Sequence, residues 1–69
     1  MNMSFSHYPG EVVTITHGAF KGELGRVVSA PPLQRVVTIH FLESSISVPL
    51  TLSIDHVIRE PNSNTYAYA

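Results

Sequence analysis

The segment Glu11-Val12-Val13-Thr14-Ile15-Thr16 is β-branched at five of its six positions. Two heavy atoms on Cβ stiffen χ1 and crowd a helical turn, so such a run favours an extended, pleated backbone. The same constraint returns along the chain. Arg26-Val27-Val28-Ser29-Ala30 reads as a second strand, and Pro31-Pro32, which cannot donate ladder hydrogen bonds, ends it and places residues 31–34 in a loop. Arg35 to Leu42 alternates, with Val37, Ile39 and Phe41 on one face and Val36, Thr38 and His40 on the other. After the polar turn Glu43-Ser44-Ser45, the residues Ile46, Val48, Leu50 and Leu52 recur with a period of two and predict a fourth strand. Pro49 inside that run marks an edge or bulge position. Ser53-Ile54-Asp55 reads as a short 3₁₀-type turn and His56-Val57-Ile58-Arg59 as a brief fifth strand. Nowhere do ten residues combine helical spacing with helix-forming composition.

Sixty-nine residues support one small core, because a chain of this size buries only about 60% of the surface its unfolded form exposes. With no cysteine, neither a disulfide framework nor a Cys-based zinc site is open to it, and apolar packing must supply the stability. Five short strands joined by tight turns then close most economically into a barrel, an all-β solution that hides sheet edges. The expected organisation is a flexible N-terminal segment over 1–8, the barrel over 9–59 and a disordered tail over 60–69. The opening residues lack the charged start and apolar run of a signal peptide, and no stretch approaches the ~20 apolar residues of a membrane span. A soluble, cytoplasmic, monomeric protein is expected. Four Lys and Arg against five Asp and Glu give a net charge of −1, which does not favour a phosphate-binding surface. Hydrophobic residues make up 43% and charged ones 13%, a high apolar load for so small a domain, and part of it is expected to be exposed as a partner surface.

Residues Gly10 to Val28 contain an opening glycine, the strand Val12-Val13-Thr14-Ile15, and then Gly18-Ala19-Phe20-Lys21-Gly22-Glu23-Leu24-Gly25-Arg26-Val27. This resembles a KOW motif, in which Gly-x-Phe-x-Gly-x-x-Gly-x-Val follows a Val-x-Val strand. Ala19 stands where the family often has proline. Beyond the motif, Pro9-Gly10-Glu11 and the stretch from Phe41 to Leu50 are similar to the C-terminal domain of the NusG/RfaH transcription factors, and the likeness runs from Tyr8 to Arg59. Glu43-Ser44 replaces the Gly-Arg of the housekeeping NusG proteins, the pattern of a specialised paralogue.

The resemblance implies a five-stranded SH3-like barrel and a non-enzymatic adaptor of transcription elongation or antitermination that needs no cofactor. In that family an N-terminal domain, absent from this sequence, rides on RNA polymerase, while the barrel recruits ribosomal protein NusE, coupling transcription to translation, or termination factor Rho. Carried over, Phe41 and Leu42 match the apolar pair at the end of strand three, with Ala19 and Phe20 on the flanking loop. Glu43, Ser44 and Ile46 complete the expected partner-binding set. Alternation turns Phe41 inward, so it and Phe20 serve core packing equally well. Leu42, one position on, faces outward.

Other chemistries fit less well. KOW modules of ribosomal proteins bind RNA, and Lys21 and Arg26 lie on or beside the glycine loop where such contacts would fall, but four scattered cations release few counterions. An SH3-like accessory subunit of an electron-transfer complex is a third reading, since fold does not fix function. His7, His17, His40 and His56 lack the close spacing of metal-ligand sets. Asp55 and His56 are chain neighbours, and in an extended segment they point to opposite faces, which argues against a triad with Ser53. Gly18, Gly22 and Gly25 are accounted for by positive φ or close chain approach. RfaH-like refolding into a helical hairpin is opposed by Pro31, Pro32, Pro49 and the β-branched runs.

Overall fold

The computed structural model of the chain describes residues 7–60. The expected flexible lead and disordered tail therefore lie outside the described residues except at His7, Tyr8 and Glu60. Five strands form: β1 (Val12–Ile15), β2 (Leu24–Ser29), β3 (Val36–Phe41), β4 (Leu50–Ser53) and β5 (Val57–Arg59). A single 3₁₀ turn, Ile54–His56, links β4 to β5. All neighbouring strands are antiparallel, in the order β4-β3-β2-β1-β5, so the fold is the all-β, small barrel-like sheet expected of the sequence.

The register follows the side-chain alternation. Val13 faces Gly25 across β1 and β2, Val27 faces Ile39 across β2 and β3, and Val37 faces Leu52 across β3 and β4. Val13, Ile15, Val27, Val37, Ile39 and Val57 make one buried cluster, and Phe20, Ala30, Phe41, Leu50, Leu52 and Ile54 pack against it. A register shift between Val27 and Ser29 leaves Val28 out of the alternation and 45% exposed. An extra residue of this kind bends the strand and increases its twist, which helps a short sheet to curl.

His56, expected in the fifth strand, belongs to the 3₁₀ turn, and two strand starts differ from the sequence reading by more than one residue. β2 begins at Leu24 rather than Arg26, which brings Gly25 inside the strand. β4 begins at Leu50, so Ile46 and Val48 belong to the preceding loop and Val48 is 64% exposed. Proline supplies the reason: Pro49 has no N–H to donate, and the ladder to β3 starts only after it, at the Ile39–Leu50 pair. Among the described residues no helix is long and apolar enough to cross a membrane.

Candidate docking surface

The loop between β1 and β2 is held by its own backbone. Gly22 N–H donates to Ile15 C=O at 2.8 Å, Lys21 N–H to Gly18 C=O at 3.2 Å, and Glu23 N–H to Phe20 C=O at 3.0 Å. This winding puts Gly18 and Gly22 at φ +89° and +95°, a region that a side chain enters at a cost of about 1 kcal/mol or more. Gly25 has a different reason. A Cβ there would meet Ile39 Cβ and Cγ1 at 3.1 and 3.2 Å, with Cδ1 nearer still, so the Ile39 side chain can lie over β2 only because Gly25 has none.

The loop delivers Phe20 to the end of β3. The Phe20 and Phe41 rings lie 5.2 Å apart with planes tilted by 55°, a favourable edge-biased aromatic contact, and both are half-buried against the core. Leu42 then turns outward, 40% exposed, while its N–H donates to Leu24 C=O at 3.0 Å. In the loop that follows, Glu43 is exposed, and Ser44 Oγ accepts from the N–H of half-buried Ile46 at 3.1 Å. Ala19 is exposed on the glycine loop. The structure thus gathers Phe20, Phe41 and Leu42 at one end of the sheet and adds exposed Val48, which strand periodicity had assigned to β4.

The cations are mostly occupied. Arg26 Nη1 donates to Gly10 C=O at 3.1 Å, Arg35 pairs with Asp55 at 3.5 Å, and Arg59 Nε donates to a Glu11 carboxylate oxygen. Lys21 is exposed on the glycine loop. With Arg26 and Arg59 engaged within the protein and Arg35 alone in an exposed, weak pair, the described surface offers no concentration of charge for phosphate neutralisation.

Glu11 is the feature that local sequence reasoning passed over. It is 1% exposed, the single buried charged residue among those described, and its carboxylate is held by His7 Nδ1 at 2.6 Å and by Arg59. Tyr8 lies beside this knot, its ring 5.7 Å from the Arg59 guanidinium carbon. Glu11 shares the phase of Val13 and Ile15 along β1, and an acid in register with core residues is the signal that it must find a partner. His7 is four residues away, whereas Arg59 is 48 residues away, beyond the reach of any local pattern.

The remaining histidines form no ligand set. His17 and His56 stack at 4.8 Å with rings 24° apart, and His17 Nδ1 lies 2.7 Å from Thr16 Oγ1. Among the described residues no three metal-binding side chains converge. Ser53 Oγ accepts from Asp55 N–H at 3.1 Å and so caps the 3₁₀ turn.

No protein-family model matches the sequence. Over 49 residues the chain is 31% identical to transcription elongation factor Spt5 of Pyrococcus furiosus, an alignment covering 71% of this chain and 32% of that protein. Two solved structures of the MjSpt4:Spt5 complex, in conformations B and A, match with TM-scores of 0.72 and 0.68 at 30% identity. These alignments cover 78% and 77% of this chain and 37% and 36% of theirs. The chain spans about a third of the length of the proteins it matches. In sequence and in fold the chain is thus similar to a stretch of transcription elongation factor Spt5.

Proposed function

We propose that this domain is a non-enzymatic protein-docking module of a transcription elongation factor, and that it engages its partner through the end of the barrel that carries Leu42. The observation that carries this reading is the placement of Leu42. Leu42 is exposed and directly follows Phe41, whose ring packs with Phe20 against the core, so an exposed apolar side chain stands on a rigid backing. Exposed apolar groups on a rigid support give affinity with little ordering cost. Ala19, Phe20, Phe41, Leu42, Glu43, Ser44 and Ile46 make up the proposed contact set, and Val48 extends it.

The partner put forward is ribosomal protein NusE, with Rho second because Glu43-Ser44 stands in place of Gly-Arg. RNA polymerase would be reached through a separate domain, as in a specialised NusG paralogue. The engaged Arg26 guanidinium supports a protein partner over RNA at Lys21 and Arg26.

The test is a titration of isotope-labelled domain with unlabelled NusE, followed by amide NMR. Shifts concentrated at residues 19–24 and 41–48 support the reading. Shifts that appear only with RNA, centre on Lys21 and weaken with added salt would replace it with the ribosomal-type reading.

A further inference from the structure

A concavity lies at the end of β3 opposite Leu42. Its apolar walls are Ala30, Pro31, Pro32, Val36, Val37 and Ile54, and its polar lining comes from Arg35 and His7. Because β3 runs six residues from Val36 to Phe41, this site stands about 20 Å from Leu42 along the strand. The pocket holds about 180 Å³. Sites for whole small molecules run to roughly 300–1,000 Å³, so this one suits a single side chain.

Three features define what would enter. The walls are aliphatic or proline, and Pro31-Pro32 presents a surface with little conformational freedom to lose. Among the described residues no Asp or Glu lines the pocket, whereas Arg35 does. Arg35 also holds φ +56°, a left-handed conformation that costs a residue with a Cβ about 1 kcal/mol and costs glycine nothing. The chain thus keeps a cation at a backbone position that would readily take glycine.

The Asp55 pairing does not saturate that cation. The two groups stand 3.5 Å apart with side chains 63% and 70% exposed, and a guanidinium has five donors to share. Exposed pairs of this kind are weak and exchange readily. The His7 ring is different: its side chain is 8% exposed and Nδ1 is committed to buried Glu11, so it forms a fixed wall.

We propose that this pocket is a second docking site, which takes one aliphatic side chain from an extended partner segment and seats the neighbouring carboxylate of that segment on Arg35. A lone phosphate would leave the aliphatic walls unused. The two ends of the barrel then present two separate surfaces, and the domain can bridge two protein chains.

The probe is the blocked tetrapeptide acetyl-Gly-Leu-Glu-Gly-amide, titrated into the labelled 69-residue chain and compared with the same peptide carrying Gln in place of Glu. Saturable shifts at Ala30, Val36 and Ile54, with Leu42 unmoved, are expected. Loss of one charge-assisted contact should weaken binding about tenfold, both with the Gln peptide and in Arg35→Gly. Arg35→Gly relieves the backbone strain and so keeps the fold. Absence of shifts at these residues, equal affinity for the two peptides, or undiminished binding by Arg35→Gly would overturn the proposal. Its readout lies at the far end from Leu42, so its failure and that of the NusE reading are separately visible.

Discussion

Two regions of this small barrel are built from different materials. At the Leu42 end of β3, tight glycine turns and an aromatic pair support apolar side chains at the surface. Along the seam between β1 and β5, Glu11 is buried and tied to His7 and Arg59. This charged seam is where the first and last strands are fastened together, since β5 pairs with β1 and Arg59 reaches back to Glu11. The contrast separates two uses of a limited set of residues: polar contacts close the structure, while apolar ones are left over for recognition.

That contrast is open to mutation, and the largest effect should fall at the charged seam. Arg59→Ala leaves the buried Glu11 carboxylate with His7, and removing the partner of a buried charge costs about 3 kcal/mol here, the low end for such losses because the Arg59 side chain is half-exposed. A domain this small has little stability in reserve, so the chemical-denaturation midpoint should fall to roughly half that of the wild type or lower. A midpoint close to wild type would mean that the knot does not hold the fold together.

Gly25→Ala comes next. Its Cβ would strike Ile39 at the centre of the sheet, and overpacking of this kind costs about 2 kcal/mol. Ile39→Val in the same chain should recover part of the loss, because the two sites share one contact. Simple additivity of the two changes in urea unfolding would show that Gly25 matters for some other reason. Gly22→Ala, strained by φ +95° but facing open space, should cost only about 1 kcal/mol and leave the core amides unshifted.

Leu42→Ser should have the smallest effect on stability, because Leu42 is already 40% exposed. Its effect on binding should be the largest of the set. A stability loss comparable to that of Gly25→Ala would place Leu42 in the core and remove the distinction between the two regions.

The parts of this molecule legible in its sequence are those governed by near neighbours. Alternation located β3 with Val37, Ile39 and Phe41 inward and Leu42 outward, and the β-branched run located β1. Pro31-Pro32 marked the end of β2. What was not legible depends on chain geometry over distance. The period of two carried the fourth strand back to Ile46, but Pro49 and the end of the ladder confine it to Leu50–Ser53, which puts Val48 on the surface. The bulge at Val28 and the approach of Gly25 to Ile39 depend on which strand lies alongside. Glu11 looked like an ordinary strand residue until Arg59 was brought to it from the other end of the chain. In the candidate site the aromatic pair was visible as residue types and the motif placed them together, whereas the engagement of Arg26, Arg35 and Arg59 within the protein emerged only with the fold.

The most direct test of the docking account is a matched pair of amide NMR titrations with NusE, one on the wild-type domain and one on Leu42→Ser, each with its unfolding midpoint measured in the same buffer. The expected result is a wild-type response centred on residues 41–48 and the glycine loop, lost in Leu42→Ser while the midpoint stays in place. An unchanged titration in a folded Leu42→Ser domain would contradict the assignment of this end as the docking surface.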